Sequence, residues 1–184
     1  MKKDHSLYFF AIIPPEKVQA SVTEIKENFK NRYNAKHALK SPPHITLIPP
    51  FEYRYSEEKR LIENLELFSS EESSFTQKLE NFGTFPPRVI YIRVIESDHL
   101  LTIYERFGKF MAKNLGLVNI FHDPRMFKPH MTVAFRDLTK ENFYLAKSEY
   151  KEKRISFTYE VESINLLRHN GKFWDIVHES YFKQ

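Results

Sequence analysis

Pro43-His44-Ile45-Thr46-Leu47 and, nearly half a chain length later, Pro129-His130-Met131-Thr132-Val133 are two copies of one pattern. Each reads proline, histidine, an apolar residue, threonine, an apolar residue. The alternation is that of a half-buried β-strand. On a strand, residues two apart share a face, so His44 projects with Thr46 and His130 with Thr132. Ile45, Leu47, Met131 and Val133 then turn the other way, into packing. Chance supplies roughly 0.35 His-x-Thr triplets in a chain of this composition. Two of them with matching flanks point to a shared purpose.

Working outward, the elements around each copy follow the same order. Leu7 to Ile13 reads as a first buried strand, closed by Pro14-Pro15. Pro15-Glu16 opens a helix that runs to about Arg32, with Val18, Val22, Ile25 and Phe29 at helical spacing. The strand His44 to Ile48 is expected to end at Pro49-Pro50, because proline cannot donate to a ladder. A helix over Glu57 to Phe68 follows, then a polar loop over Ser69 to Ser74 and strands over Phe75 to Leu79 and Val89 to Ile95. In the second half a helix spans Asp98 to Leu115 with Gly116 as its C-cap. The loop Asn119 to Pro129 leads into a strand from His130 to Phe135, and Lys140 to Tyr150 reads as helix. Strands at Ile155 to Glu160, Ser163 to Leu167 and Phe173 to His178 close the chain, with Asn170-Gly171 a hairpin turn. Helix, motif strand, helix occurs twice, which predicts a duplicated α+β unit within one domain over residues 1–184.

Composition narrows the chemistry. The chain contains no cysteine, which excludes disulfides, thiolate zinc sites and a cysteine nucleophile. Four glycines and no Gly-rich loop argue against nucleoside-triphosphate chemistry. A net charge of +4 permits an anionic substrate, but no basic arm concentrates it. No apolar run approaches the ~18 residues a membrane helix needs, and the short one near the start lacks a cleavage site. A cytoplasmic protein without membrane attachment, acting as a monomer, is the expectation.

Two imidazole–hydroxyl pairs facing one another supply what phosphoester cleavage requires. One histidine removes a proton from the attacking hydroxyl or water, and the other donates a proton to the leaving oxygen. An ordinary imidazole pKa near ~6.5 lets both forms coexist at neutral pH. Thr46 and Thr132 can hydrogen-bond the non-bridging oxygens where charge develops. Which histidine is acid and which is base stays open, because the two copies look alike. Around them, Arg88, Lys128, Arg136 and Arg168 are candidate phosphate contacts, Arg136 foremost. Phe51, Phe85 and Phe127 are candidate platforms for a base. His122-Asp123 is not read as a metal pair, and His5, His37, His99, His169 and His178 are read as incidental.

The two motifs resemble the paired signatures of the 2H phosphoesterase superfamily, and within it the branch called 2′-5′ RNA ligase, or LigT-like. The likeness extends to Tyr8-Phe9-Phe10-Ala11-Ile12-Ile13-Pro14-Pro15, to Phe82-Gly83-Thr84-Phe85-Pro86-Pro87-Arg88-Val89-Ile90-Tyr91 and to Leu166-Leu167-Arg168. It implies an α+β, bilobal, pseudo-symmetric fold, with two antiparallel sheets lining a central cleft and helices outside. It also implies no metal or other cofactor, and catalysis by His44, Thr46, His130 and Thr132. The substrate would be a nucleotide or RNA end carrying a 2′,3′-cyclic phosphate or a 2′-5′ linkage, to be hydrolysed or reversibly joined. A non-catalytic module that binds such ends is the alternative. Members often carry a basic residue five positions after the second histidine. Here Phe135 stands there and Arg136 follows. On an ideal strand Arg136 shares the face of His130.

Overall fold

The computed structural model describes residues 4–117 and 126–183. Among these residues, eight strands and four α-helices follow the order anticipated. They are β1 (His5–Ile12), α1 (Glu16–Tyr33), β2 (Ile45–Arg54), α2 (Glu58–Ser69), β3 (Phe75–Phe85), β4 (Val89–Val94), α3 (Asp98–Leu115), β5 (His130–Ala134), α4 (Lys140–Tyr150), β6 (Ser156–Val161), β7 (Ser163–His169) and β8 (Trp174–Tyr181). They form two four-stranded antiparallel sheets, ordered β2-β1-β7-β8 and β5-β4-β3-β6. The fold is α+β, as expected. Each motif strand is an edge strand, and its inner neighbour is the strand that precedes it by one helix. The helices cross over: α1 lies against β5, and α3 lies against β2.

Local chemistry explains the boundaries. Asn34 takes the left-handed conformation at φ 53° and returns its N–H to the Phe29 carbonyl, closing α1. Ser97 caps α3 by accepting from the Leu100 N–H, and Gly116 ends that helix at φ 69°. Thr139 caps α4 in the same way through the Asn142 N–H. At the last hairpin the Asn170 side chain accepts from the N–H groups of Lys172 and Phe173.

Two expectations fail at strand ends. Pro49-Pro50 does not stop β2, which continues to Arg54. β2 is an edge strand, so prolines there forfeit little, and the register slips between the Tyr8–Phe51 and Phe10–Ile48 pairs to absorb an extra residue. Likewise β3 does not stop at Leu79. An irregularity at Glu80-Asn81, with Asn81 at φ 56°, carries it on to Phe85.

One apolar core runs through both sheets. It joins Phe10 and Ile45 of the first to Ile92 and Met131 of the second, with the buried faces of the helices. Phe107 of α3 is central to it, its ring 5.2 Å from Phe10 of β1 and 4.9 Å from Phe68 of α2. A second, smaller cluster covers the opposite face of the first sheet. Phe9, Ala11 and Leu167 form it, with Ile13 and Trp174 against them. β1 is therefore apolar on both faces. No helix among the described residues is long and apolar enough to cross a membrane.

Candidate active site

The motif strands β2 and β5 are the edges at which the two sheets meet, with Cα positions within 8 Å. Thr46 pairs with Ala11, and Thr132 with Tyr91, so both hydroxyls lie on the sheet faces opposite the main core. Ile45, Leu47, Met131 and Val133 are buried, which anchors each strand by the face the histidines do not use. His44 immediately precedes β2, and His130 is the first residue of β5.

Each imidazole is held in the same way. His44 Nδ1 lies 2.8 Å from the Pro42 carbonyl oxygen, and His130 Nδ1 lies 2.7 Å from that of Lys128. A carbonyl oxygen only accepts, so Nδ1 carries the hydrogen in both rings and Nε2 is left to exchange protons. Burial lowers the pKa of both. His44 falls to about 4, through burial first and then the charges of Lys26 and His130, against the raising effect of its bond to Pro42. His130 is lowered by burial, with its bond to Lys128 opposing.

Aromatic rings on the inner strands flank each imidazole. Phe9 of β1 packs 5.0 Å from the His44 ring and 4.7 Å from Trp174, which in turn meets His169 at 5.0 Å. Across the site Phe85 and Tyr91 pack 5.1 and 5.4 Å from the His130 ring. Tyr91 lies over Gly83, its partner in the β3–β4 ladder. A Cβ on residue 83 would run into the edge of the tyrosine ring, well inside van der Waals contact. Gly83→Ala is therefore expected to displace Tyr91 at a cost of about 1–3 kcal/mol. Denaturant unfolding of Gly83→Ala, Tyr91→Ala and the double variant should show that most of the glycine penalty disappears once the ring is removed. Equal penalties with and without Tyr91 would contradict the contact.

The other expected residues fall differently. Phe51 is corrected: it is 3% exposed, in the main core, stacked 5.8 Å from Phe10, and no base can reach its faces. The extension of β2 through the prolines turned it inward. Arg136 does not share a strand face with His130, because β5 ends at Ala134 and Arg136 sits in a turn at φ 57°. Its exposed guanidinium lies 5.5 Å over the Phe135 ring, and its charge acts on His37. Lys128 is exposed, and its contact to the site is its backbone carbonyl. Arg88 is exposed in the β3–β4 turn, while Arg168 pairs with Glu58 and lies over Tyr55. Phe127 stacks on Tyr104. His122-Asp123 falls outside the described residues. Among those described, no group of three or more His, Asp or Glu side chains is placed to hold a metal ion. Phe9, Tyr91, Trp174 and Lys26 stand beside the histidines in addition to the residues expected from the sequence.

Comparison with known proteins bears on the family and the fold. The family model for the 2′-5′ RNA ligase superfamily matches residues 14–173. A proposed phosphoesterase of Geobacillus kaustophilus (strain HTA426) is 29% identical over 164 residues, 87% of this chain and 86% of that protein. The crystal structure of a Thermus thermophilus protein superposes with a TM-score of 0.70 at 22% identity, covering 96% of this chain and 98% of that one. Apo Escherichia coli LigT superposes with a TM-score of 0.65 at 15% identity, covering 99% and 100%. The same E. coli protein has been solved with 3′-AMP, with a TM-score of 0.60 at 17% identity over 99% and 100% of the two chains.

Proposed function

The chain belongs to the 2′-5′ RNA ligase superfamily, the 2H phosphoesterases, and on that premise we propose that it hydrolyses 2′,3′-cyclic phosphates or 2′-5′ phosphodiesters of nucleotides or RNA ends. The observation that carries this reading is the pair of Nδ1–carbonyl bonds, 2.8 and 2.7 Å, which leave two proton-exchanging Nε2 atoms on adjoining edge strands. In this mechanism one Nε2 takes a proton from water as the water oxygen bonds to phosphorus. The bond from phosphorus to the leaving ribose oxygen breaks, and the other imidazole gives that oxygen its proton. Thr46 and Thr132 donate to the non-bridging oxygens. Phe85, Tyr91 and Trp174, which are only partly buried, offer stacking surfaces for a base. The naming of relatives as phosphoesterases, and the 3′-AMP found in the LigT structure of the same fold, support a nucleotide phosphoester as substrate.

We place this activity in one bilobal domain. The protons move between imidazoles and substrate oxygens, so turnover of 2′,3′-cyclic nucleotides and of a 2′-5′ dinucleotide is expected to persist in EDTA. Phosphorus NMR of the products would identify which ribose oxygen leaves. Binding of these compounds without turnover would favour a recognition module instead. Joining of a cyclic phosphate to a 5′-hydroxyl end would favour the ligase direction. Full loss of hydrolysis in EDTA, restored by added metal, would contradict the mechanism.

A further inference from the structure

The two motifs are alike where they face each other and unlike behind. Three residues before each histidine, the chain is braced by the helix that joins its strand pair. Behind His130 that residue is Phe127, whose ring stacks 3.7 Å from Tyr104 of α3 with 6° between the planes. Behind His44 it is Ser41, whose carbonyl oxygen accepts a 3.0 Å hydrogen bond from the Lys26 ammonium of α1. One brace is apolar and the other is a cation.

Lys26 stands in the buried stripe of α1 between Val22 and Phe29 and is 1% exposed. Burial lowers it to about 7, and no carboxylate among the described residues offsets that. Around it are Gln19 and Thr23 of α1, Lys40 and Ser41 ahead of the motif, and Phe173 and Trp174 at the start of β8. A buried ammonium without a counter-charge is costly, so stability alone does not account for a lysine here.

We propose that Lys26 is a positioning residue that makes the two imidazoles inequivalent. It clamps the turn carrying the Pro42 carbonyl and sets a positive charge behind His44, so that the single proton of the pair resides on His130. The inference rests on the two-histidine reading above. The groups facing His44 are Lys26 from α1, His130 from β5 and the Phe9 ring from β1. Both charges oppose its protonation. His130 faces Tyr91 and Phe85 from the second sheet and bonds to the Lys128 carbonyl, and among the described residues no cation acts on it in this way. At the pH where His44 takes up a proton, Lys26 is already fully charged. The assignment of roles follows. His44 accepts the proton of the attacking water, and His130 supplies the proton of the leaving ribose oxygen.

The test is an NMR pH titration of the two ring systems in the unligated full chain, for the wild type, Lys26→Met and Lys26→Arg. In the wild type His130 should titrate above His44; the reverse order overturns the proposal without any variant. Lys26→Met should raise the His44 midpoint by about half a pH unit or more and leave that of His130 in place. Lys26→Arg should keep His44 near its wild-type midpoint. An unmoved His44 in folded Lys26→Met, or equal movement of both histidines, would show that Lys26 only fills space. With the cyclic phosphate as substrate, the acid limb of kcat/KM should shift upward in Lys26→Met while the alkaline limb stays. The ring titrations need no substrate, so they fail or succeed separately from the phosphoesterase reading.

Discussion

His44→Ala and His130→Ala are each expected to lower kcat for a 2′,3′-cyclic nucleotide by about 10² to 10⁴-fold while the chain stays folded. Both imidazoles lie at sheet edges with their ring surroundings only partly closed, and neither belongs to the main core. Removing one therefore takes away proton transfer without opening a cavity between the sheets. Because the two act on one reaction, the double variant should be little worse than the worse single one. Steady-state kinetics beside near-ultraviolet circular dichroism would check this. Full turnover in a folded His44→Ala variant would remove the histidine from the mechanism.

Phe107→Ala is expected to cost about 3–5 kcal/mol of stability. Phe107 is fully buried and belongs to α3, the helix between the strands of the second motif unit. Yet it packs on Phe10 of the first sheet and on Phe68 of α2. The two lobes thus share this contact and should unfold together. Denaturant unfolding followed by tryptophan fluorescence and by far-ultraviolet circular dichroism should give one coincident transition, displaced to lower denaturant. Trp174 is the only tryptophan and reports on the first sheet. Separate transitions, with only the second sheet destabilised, would show that the lobes are independent units.

How far the sequence could be read depended on whether a feature was local. Periodicity and caps are local, and α3 and α4 fall at the residues expected, Asp98–Leu115 and Lys140–Tyr150. The alternation in both motifs likewise placed Ile45, Leu47, Met131 and Val133 in packing. What the strands pair with is not local. Pro49-Pro50 reads as a terminator until β2 is known to be an edge strand, and that error carried Phe51 into the wrong environment. Strand alternation does not reach Arg136, which lies two residues beyond the end of β5. Other features do have a local signal. Val18, Val22, Lys26, Phe29 and Tyr33 follow one helical stripe, so a lysine at a core position was visible in the sequence. Gly83 inside an apolar run signalled a close approach, though not that Tyr91 makes it. Tyr8-Phe9-Phe10-Ala11-Ile12 is apolar at every position, as a strand covered on both faces must be.

The proposed stacking surfaces and the proposed hydrolytic centre would belong to one geometry. Phe85 and Tyr91 come from the inner strands β3 and β4, beside His130, while Trp174 lies beyond Phe9 on the His44 side. A base stacked on either wall would present its ribose phosphate at the junction of the sheets.

A crystal structure with a non-hydrolysable 2′,3′-cyclic phosphate analogue tests that geometry most directly. The account predicts one phosphorus between β2 and β5, with Nε2 of both His44 and His130 within ~3 Å of its oxygens. An analogue bound with full occupancy at which only one of those nitrogens arrives, or neither, would contradict it.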